Sequence, residues 1–143
     1  MANEARLFAE GVNNVIVRQF TVADGTAIPK GTLLVASSTT RTGVIHAIAT
    51  LRAPLGFTTM SKEANDGFTE VGVQRTGVVD AYIDGSVALG DLVSVSQTTA
   101  NRVKSLNTSV ATGLSYMELQ MILGRAIEGG TDGQRIRIAL NLG

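Results

Sequence analysis

The chain has 143 residues, twelve of them Lys or Arg and twelve Asp or Glu, so its formal net charge at pH 7 is zero. It has no cysteine, which excludes disulfides, thiolate metal sites and cysteine nucleophiles. Binding nucleic acid mainly through phosphates requires a clustered excess of Lys and Arg, and the sequence shows no such cluster. A chain of this length fits one domain with a substantial core, and we expect no nucleic-acid partner.

The N-terminal segment differs from the rest of the chain, so we expect an arm over residues 1–11 and a single β domain over residues 12–143. Ala5, Phe8 and Ala9 fall at helical spacing among polar residues, which is compatible with an amphipathic turn. The segment could instead be extended and add a strand to a partner's sheet edge, or it could be a frayed terminus. No signal-peptide pattern is present, and no apolar run approaches the roughly 18 residues of a membrane helix. We therefore expect synthesis in the cytoplasm and no membrane segment.

An alternation of apolar and polar residues with a period of two predicts β-strands along the rest of the chain. In chain order, the predicted strands are Asn14–Phe20, Thr32–Ser37, Gly43–Ile48, Thr69–Arg75, Gly77–Ile83, Asp91–Ser96, Tyr116–Leu123 and Gln134–Leu142. Tyr116–Leu123 is also rich in helix formers, so a helix remains the alternative there. One short helical turn is predicted at Ser61–Asn65.

The last predicted strand shows the alternation most clearly, with Ile136, Ile138, Leu140 and Leu142 on one face. Asp-Gly and Gly-Gly pairs separate the strands, and such pairs favour tight turns because glycine accepts a positive φ at little cost. Many short strands with frequent turns predict an all-β fold, either a small β-barrel or a sandwich.

A faint internal repeat relates the two halves of the chain. Asp24-Gly25, followed by Gly31–Leu34, matches Asp84-Gly85, followed by Gly90–Val93, about sixty residues later. Each copy is followed by a Leu-Gly step, an Asp-Gly turn and an alternating strand. Two such units could close on each other around one shared core. Because the matching residues are common turn residues, true duplication and chance likeness remain equally open.

Few side chains in the sequence could carry catalysis. His46 is the only histidine, and its place in Val44–Ile48 favours a half-buried strand residue over a general base or metal ligand. Asp80, Asp84 and Asp91 could act as paired acids or bind calcium, but the last two belong to turn pairs that account for them. No phosphate-loop, dinucleotide, serine-hydrolase or zinc-protease motif is present. We predict no catalytic residue, no metal, no cofactor and no enzymatic activity.

One enzyme family shares a short motif with the chain. Gly77–Tyr82 resembles the nucleoside-binding motif of trimeric dUTPases, all-β chains of similar length in which an Asp activates water and a Tyr stacks near the sugar. Here Tyr82 follows Asp80 one position too early, and Ile83-Asp84 stands where an Arg-Gly pair is expected. The family's Gly-rich C-terminal phosphate motif is also missing. Catalysis depends on close geometry, so a dUTPase-like enzyme is kept only as an alternative.

Several blocks, taken in their order, resemble the capsid decoration proteins of tailed bacteriophages, also called cement or head-stabilising proteins. The blocks are Met1–Ala5, Phe20–Leu34, Lys62–Gly67, Gly90–Val93 and Leu123–Glu128, followed by Gly133 and the closing alternating strand. The resemblance spans nearly the whole chain. Around Thr39–Gly43 the sequence departs from the Asp-Pro-Arg-Thr form of the family.

This resemblance implies a compact β-barrel or β-tulip, in a homotrimer that binds the phage major capsid protein. Such a protein is made in the host cytoplasm and stabilises the head from the outer surface of the assembled capsid. Asn3, Ala5, Leu7 and Phe8 are then the expected capsid contacts, because their segment is amphipathic and lies outside the strand pattern. A head-fibre or tail-associated module of the virion is the other alternative.

Overall fold

The computed structural model describes residues 3–7, 15–37, 43–45, 53–96, 98–106 and 121–142. Within these ranges the chain forms β-strands and no helix, which confirms the predicted all-β fold. The strands are β1 (Arg6–Leu7), β2 (Val17–Thr21), β3 (Leu33–Ala36), β4 (Gly43–Ile45), β5 (Pro54–Thr58), β6 (Glu70–Gln74), β7 (Thr76–Tyr82), β8 (Leu92–Val95), β9 (Val103–Ser105), β10 (Ile122–Ala126) and β11 (Arg135–Asn141).

The strands form two sheets, and all neighbouring strands in them are antiparallel. The N-sheet, built from the first half of the chain, has the order β2-β6-β5-β3-β4. The C-sheet has the order β1-β7-β11-β10-β8-β9. Two packed antiparallel sheets of this size fit the predicted small sandwich or barrel.

The C-sheet repeats both the strand order and the register of the N-sheet. When β1 is set aside, each sheet arranges its strands, numbered along the chain, in the order first, fifth, fourth, second, third. The strand partners match as well, because Leu33 opposite Phe57 corresponds to Leu92 opposite Arg125. At the same place in both sheets a β-bulge then shifts the register. The likeness between the two halves that the sequence suggests therefore extends from the turns to the strand order and register.

The two Leu-Gly steps noted in the sequence lie at these bulges. Gly56 in β5 and Gly124 in β10 occupy matching positions. A Cβ atom on Gly56 would lie 2.2 Å from the carbonyl oxygen of Gln74, and one on Gly124 would lie 1.9 Å from that of Ala139. Both halves of the repeat thus keep a glycine here for the same steric reason.

The central strands β3, β5 and β6 of the N-sheet are buried on both faces, whereas the C-sheet buries its apolar residues on one. The inner face of the N-sheet carries the smaller core cluster: Val22, Ile28, Leu34, Val71 and Val73, with Phe20 and Leu55 packed against it. Its outer face contributes Leu33, Val35 and Phe57 to the larger cluster, which also contains the inner face of the C-sheet, including Val79, Val93, Leu123, Ile136 and Ile138. The predicted alternation of the last strand is confirmed, since Ile136, Ile138 and Leu140 are buried.

The predicted helical turn at Ser61–Asn65 is wrong. Lys62 instead forms a β-bridge with Ile28, in which each N–H donates to the other residue's carbonyl oxygen at 2.8 Å. Asn65 has a φ of 60°, which ends any right-handed helical turn. Long-range backbone pairing therefore overrides the local helix propensity of this segment.

Other differences follow from the double burial of the N-sheet. Gln74 alternates with the apolar residues Val71 and Val73 in the sequence, yet it is fully buried, because the outer face of β6 is also covered. Strand β5 was not predicted, since Pro54 and Gly56 interrupt its alternation, and β9 is too short to show one. In Tyr116–Leu123 only the end is described, where Ile122 and Leu123 lie in β10 as predicted.

The close contact at Gly124 predicts a large cost for any side chain there. Gly124→Ala should lower the free energy of unfolding by about 2–3 kcal/mol, because the new methyl group must displace a neighbouring strand. Gly25→Ala is the matched control, since its Cβ would lie 3.8 Å from the nearest heavy atom, and it should change stability much less. Urea unfolding of the two variants measures the difference. Equal stabilities would contradict the packing described for β10.

Candidate docking surface

Strand β1 adds to the edge of the C-sheet of its own chain. Arg6 lies opposite Asp80 and Leu7 opposite Val79 in β7. Of the forms considered for the N-terminal segment, the structure therefore shows an added strand. Its partner, however, is the same chain and not another protein.

The four residues predicted to contact a capsid are placed differently from one another. Asn3 is half-buried and has a φ of 70°. Ala5 is 7% exposed, belongs to the cluster between the sheets, and donates its N–H to the carbonyl oxygen of Gly31 at 2.7 Å. Leu7 lies in β1 with its side chain outside the described part, and Phe8 lies outside the described residues. The capsid contact of this segment stays a prediction, while Ala5 serves the chain's own packing.

Residues from two of the blocks that resemble decoration proteins meet in one buried ion cluster. Lys62 is 4% exposed, and its Nζ donates to Asp24 Oδ1 at 3.0 Å and to Asp66 Oδ1 at 2.8 Å. It also donates to the backbone carbonyl oxygens of Asp24 and Glu63. A buried ammonium group needs such complete pairing, because an unpaired charge inside a protein is costly. The cluster therefore ties the turn at Asp24 to the turn at Asp66.

The same carboxylates shape an exposed loop, residues 60–70, which we call the Phe68 loop. Asp66 accepts hydrogen bonds from the N–H groups of Glu63 at 3.1 Å and Phe68 at 2.9 Å. Asp24 accepts one from the N–H of Gly67 at 3.0 Å. Phe68 itself is 69% exposed. The loop thus presents an aromatic side chain on a hydrogen-bonded backbone.

The ion cluster shifts the titration of its members. Hydrogen bonding to Lys62 lowers the pKa of Asp66 to about 2, although partial burial of the carboxylate opposes this shift. For Lys62, burial alone would lower the pKa, but hydrogen bonds to Asp66 and Asp24 outweigh it, so the pKa is raised. Both shifts favour the charged pair at neutral pH.

Asp84 and Asp91, considered above as acid–base groups, hold turns together. Asp84 accepts hydrogen bonds from the hydroxyl groups of Ser96, at 2.6 Å, and Thr98, and these bonds lower the pKa of Asp84. Asp91 accepts one from the hydroxyl of Ser105 at 2.7 Å. Each carboxylate thus has a structural role in its turn.

Asp80 and Tyr82 of the dUTPase-like motif lie on the same face of β7 and share one partner. Arg135 Nε lies 3.3 Å from Asp80 Oδ2, and the guanidinium carbon lies 5.5 Å from the centroid of the Tyr82 ring. The arginine therefore makes an ion pair and a cation–π contact at once. Both motif side chains are engaged by the neighbouring strand.

Large exposed apolar side chains concentrate in turns. Leu89 is 72% exposed, Met60 48% and Ile127 46%, in addition to Phe68. Sequence analysis missed all four, because apolar residues in turns belong to no strand or helix period. Their positions mark surfaces that could contact another protein.

The described part of the chain also bears on metal and membrane binding. Among the described residues, no group of three His, Asp or Glu side chains is arranged to hold a metal ion. His46 lies outside them. No helix in the described ranges has the length and apolar character needed to cross a bilayer.

Comparison with known proteins shows a likeness of fold and none of sequence family. The sequence matches no protein-family model and no curated protein. The fold is similar to that of the head fiber N base of bacteriophage phi29, with a TM-score of 0.55 and 14% sequence identity. The likeness covers 90% of this chain and 97% of that one. At this identity it shows a common fold.

The Lys62 cluster predicts a stability that depends on acid. Because the folded-state pKa of Asp66, about 2, lies below the ordinary 3.8, its carboxylate stabilises the fold above pH 3.8 and loses this effect as the pH falls towards 2. Asp66→Asn removes the effect at every pH. The difference in unfolding free energy between the wild type and this variant, measured in urea, should therefore be constant above pH 3.8 and shrink below it.

Glu63→Gln is the control for this experiment, since it removes an exposed charge from the same loop without touching the Lys62 side chain. A difference between wild type and Asp66→Asn that does not change with pH would contradict the ion pair.

Proposed function

We propose that this protein is a non-enzymatic structural component of a tailed-bacteriophage head. In this proposal it binds the outer surface of the assembled major-capsid shell as a decoration protein and stabilises the head. Three copies act together, as the resemblance to decoration proteins implies, and the chain is made in the host cytoplasm before joining the virion.

The observation that carries the proposal is the shared fold. The similar structure is a component of a phage head fiber, and nearly all of both chains is covered. The sequence resemblance to decoration proteins rests on different observations, namely the order of the motif blocks. It also favours a protein of the phage head. The carboxylates of Asp84 and Asp91 support a structural role, because each accepts hydrogen bonds that hold its own turn.

The base of a head fiber is the second candidate, and the same fold likeness favours it. Both candidates require attachment to a shell, so each needs a surface that binds it. They differ in what binding does, since a decoration protein reinforces the shell and a fiber base anchors a projection. Heat resistance of the decorated particle separates the two.

Binding to undecorated phage heads tests the proposal directly. Purified protein should sediment with undecorated heads, and the heads should then release their DNA at a higher temperature, because many copies lock neighbouring capsomers together. Heads that already carry their decoration protein are the control and should take up little. Binding without added heat resistance would favour the fiber base, and an absence of binding would contradict both candidates.

A further inference from the structure

We propose that copies of this chain bind each other head to tail, with the Phe68 loop of one copy seated in a groove on the outer face of the C-sheet of the next. The contact is an interface between copies and does not depend on the shell.

The outer face of the C-sheet corresponds to a face that is buried in the N-sheet. Leu33 and Phe57 are fully buried on the outer face of the N-sheet, against the C-sheet. Their counterparts in the C-sheet are Leu92, which is half-buried, and Arg125, which is exposed. Among the described residues, no third sheet covers the C-sheet as the C-sheet covers the N-sheet. Within the described part of the chain, the repeat therefore leaves this face of the C-sheet without a covering sheet.

The outer face of the C-sheet is strongly basic. Residues that lie opposite each other in antiparallel strands share a face, so the register assigns five cations and one acid to it. The cations are Arg6, Lys104, Arg125, Arg135 and Arg137, and the acid is Asp80. The described strands thus give this face a charge of +4 in a chain of net charge zero. Sequence analysis missed the cluster because its cations come from four different strands.

A groove of about 360 Å³ lies on the same face. Its lining includes the apolar side chains of Leu92, Ile122 and Ala139 and the charged side chain of Arg125. Arg125 Nη1 donates to the carbonyl oxygen of Gly90 at 3.0 Å, which holds the guanidinium at the rim. The groove therefore suits an apolar side chain that has carboxylates beside it.

The Phe68 loop has the complementary chemistry. Phe68 is 69% and Met60 48% exposed, and Phe68 lies along the chain between the exposed acids Glu63 and Glu70. Backbone hydrogen bonds to Asp66 fix the loop, so little conformational freedom is lost on binding. An aromatic side chain between acids thus meets an apolar groove beside arginines, and both partners lie on the same chain.

The repeat gives this contact a direction. Thr69 and Gln134 match in the two halves, because each accepts a hydrogen bond from the residue that follows the neighbouring strand. Phe68 precedes Thr69, whereas Gly133 precedes Gln134. Only the first half of the repeat therefore carries an aromatic side chain at this position. In the N-sheet, the position that corresponds to the groove is filled by Phe57 and covered by the C-sheet. Each copy has one Phe68 loop and one groove. Such a contact between two different surfaces joins copies into a closed ring when the rotation from each copy to the next leads back to the first copy.

The mass of the full-length protein in solution, measured by sedimentation equilibrium, tests the contact. The wild type should form a closed oligomer, and Phe68→Ala and the double variant Arg125→Glu/Arg137→Glu should each weaken association at least about thirty-fold, as for a central interface residue. Val17→Ala and Arg18→Glu are matched controls, an exposed apolar side chain and an exposed arginine of β2 that lie outside the loop and the groove, and they should leave the mass unchanged. Thermal unfolding confirms that each variant is folded, and Arg125→Gln/Arg137→Gln replaces the reversal if it is not.

Mixing the variants identifies the two sides of the contact. Phe68→Ala keeps an intact groove and the double arginine variant keeps an intact loop, so the mixture should form a dimer and nothing larger. Combining Arg125→Glu/Arg137→Glu with Glu63→Lys/Glu70→Lys in one chain should restore the closed oligomer, because both charges are reversed together.

Several results would overturn the proposal. These are a monomeric wild type, an unchanged mass for the double arginine variant, or a mixture that does not dimerise. If that variant keeps the wild-type mass but loses binding to undecorated heads or to duplex DNA, the basic face belongs to that partner instead. The oligomer can fail while shell binding succeeds, and the reverse, so the two proposals are tested separately.

Discussion

The packing of the N-sheet's outer face against the C-sheet's inner face determines the position of every other feature of the molecule. Two sheets with the same register could have faced each other symmetrically, but here an outer face meets an inner one. Burial of Phe57 and its neighbours in this layer supplies much of the stability, about 1.5–3 kcal/mol for each large apolar side chain. Because an outer face packs against an inner face, the two remaining faces differ. The inner face of the N-sheet lies on one side of the pair and the outer face of the C-sheet on the other.

The residues that carry the family resemblance turn out to be architectural. Lys62, Asp24 and Asp66 form a buried ion cluster, and its carboxylates hold the backbone of the loop that presents Phe68. A likeness at these positions therefore reports how a loop is built and not what it binds. The surfaces proposed for binding lie elsewhere, on strand faces and loop tips, where side chains can differ between relatives without altering the fold.

The sequence predicted what depends on local periodicity and turn chemistry. The alternation of Ile136 and Ile138 located an inner face, and the paired Leu-Gly steps marked matching bulges. It could not predict the burial of Gln74, because the second covering layer comes from a distant half of the chain. For the same reason it did not predict the basic face, because its cations come from four different strands that only the folded C-sheet brings together. The prediction of a helical turn at Ser61–Asn65 is wrong because the backbone bridge between Lys62 and Ile28 outweighs the helix propensity of a single turn.

The repeated register also has an evolutionary consequence. A single half of about 60 residues buries too little surface to be more than marginally stable alone, so an ancestral unit of this size would have needed a partner copy. Fusion of two such units makes their association intramolecular, and each unit is then free to specialise. Phe57 and Arg125 at matching positions show this contrast, since Phe57 is buried between the sheets and Arg125 is exposed.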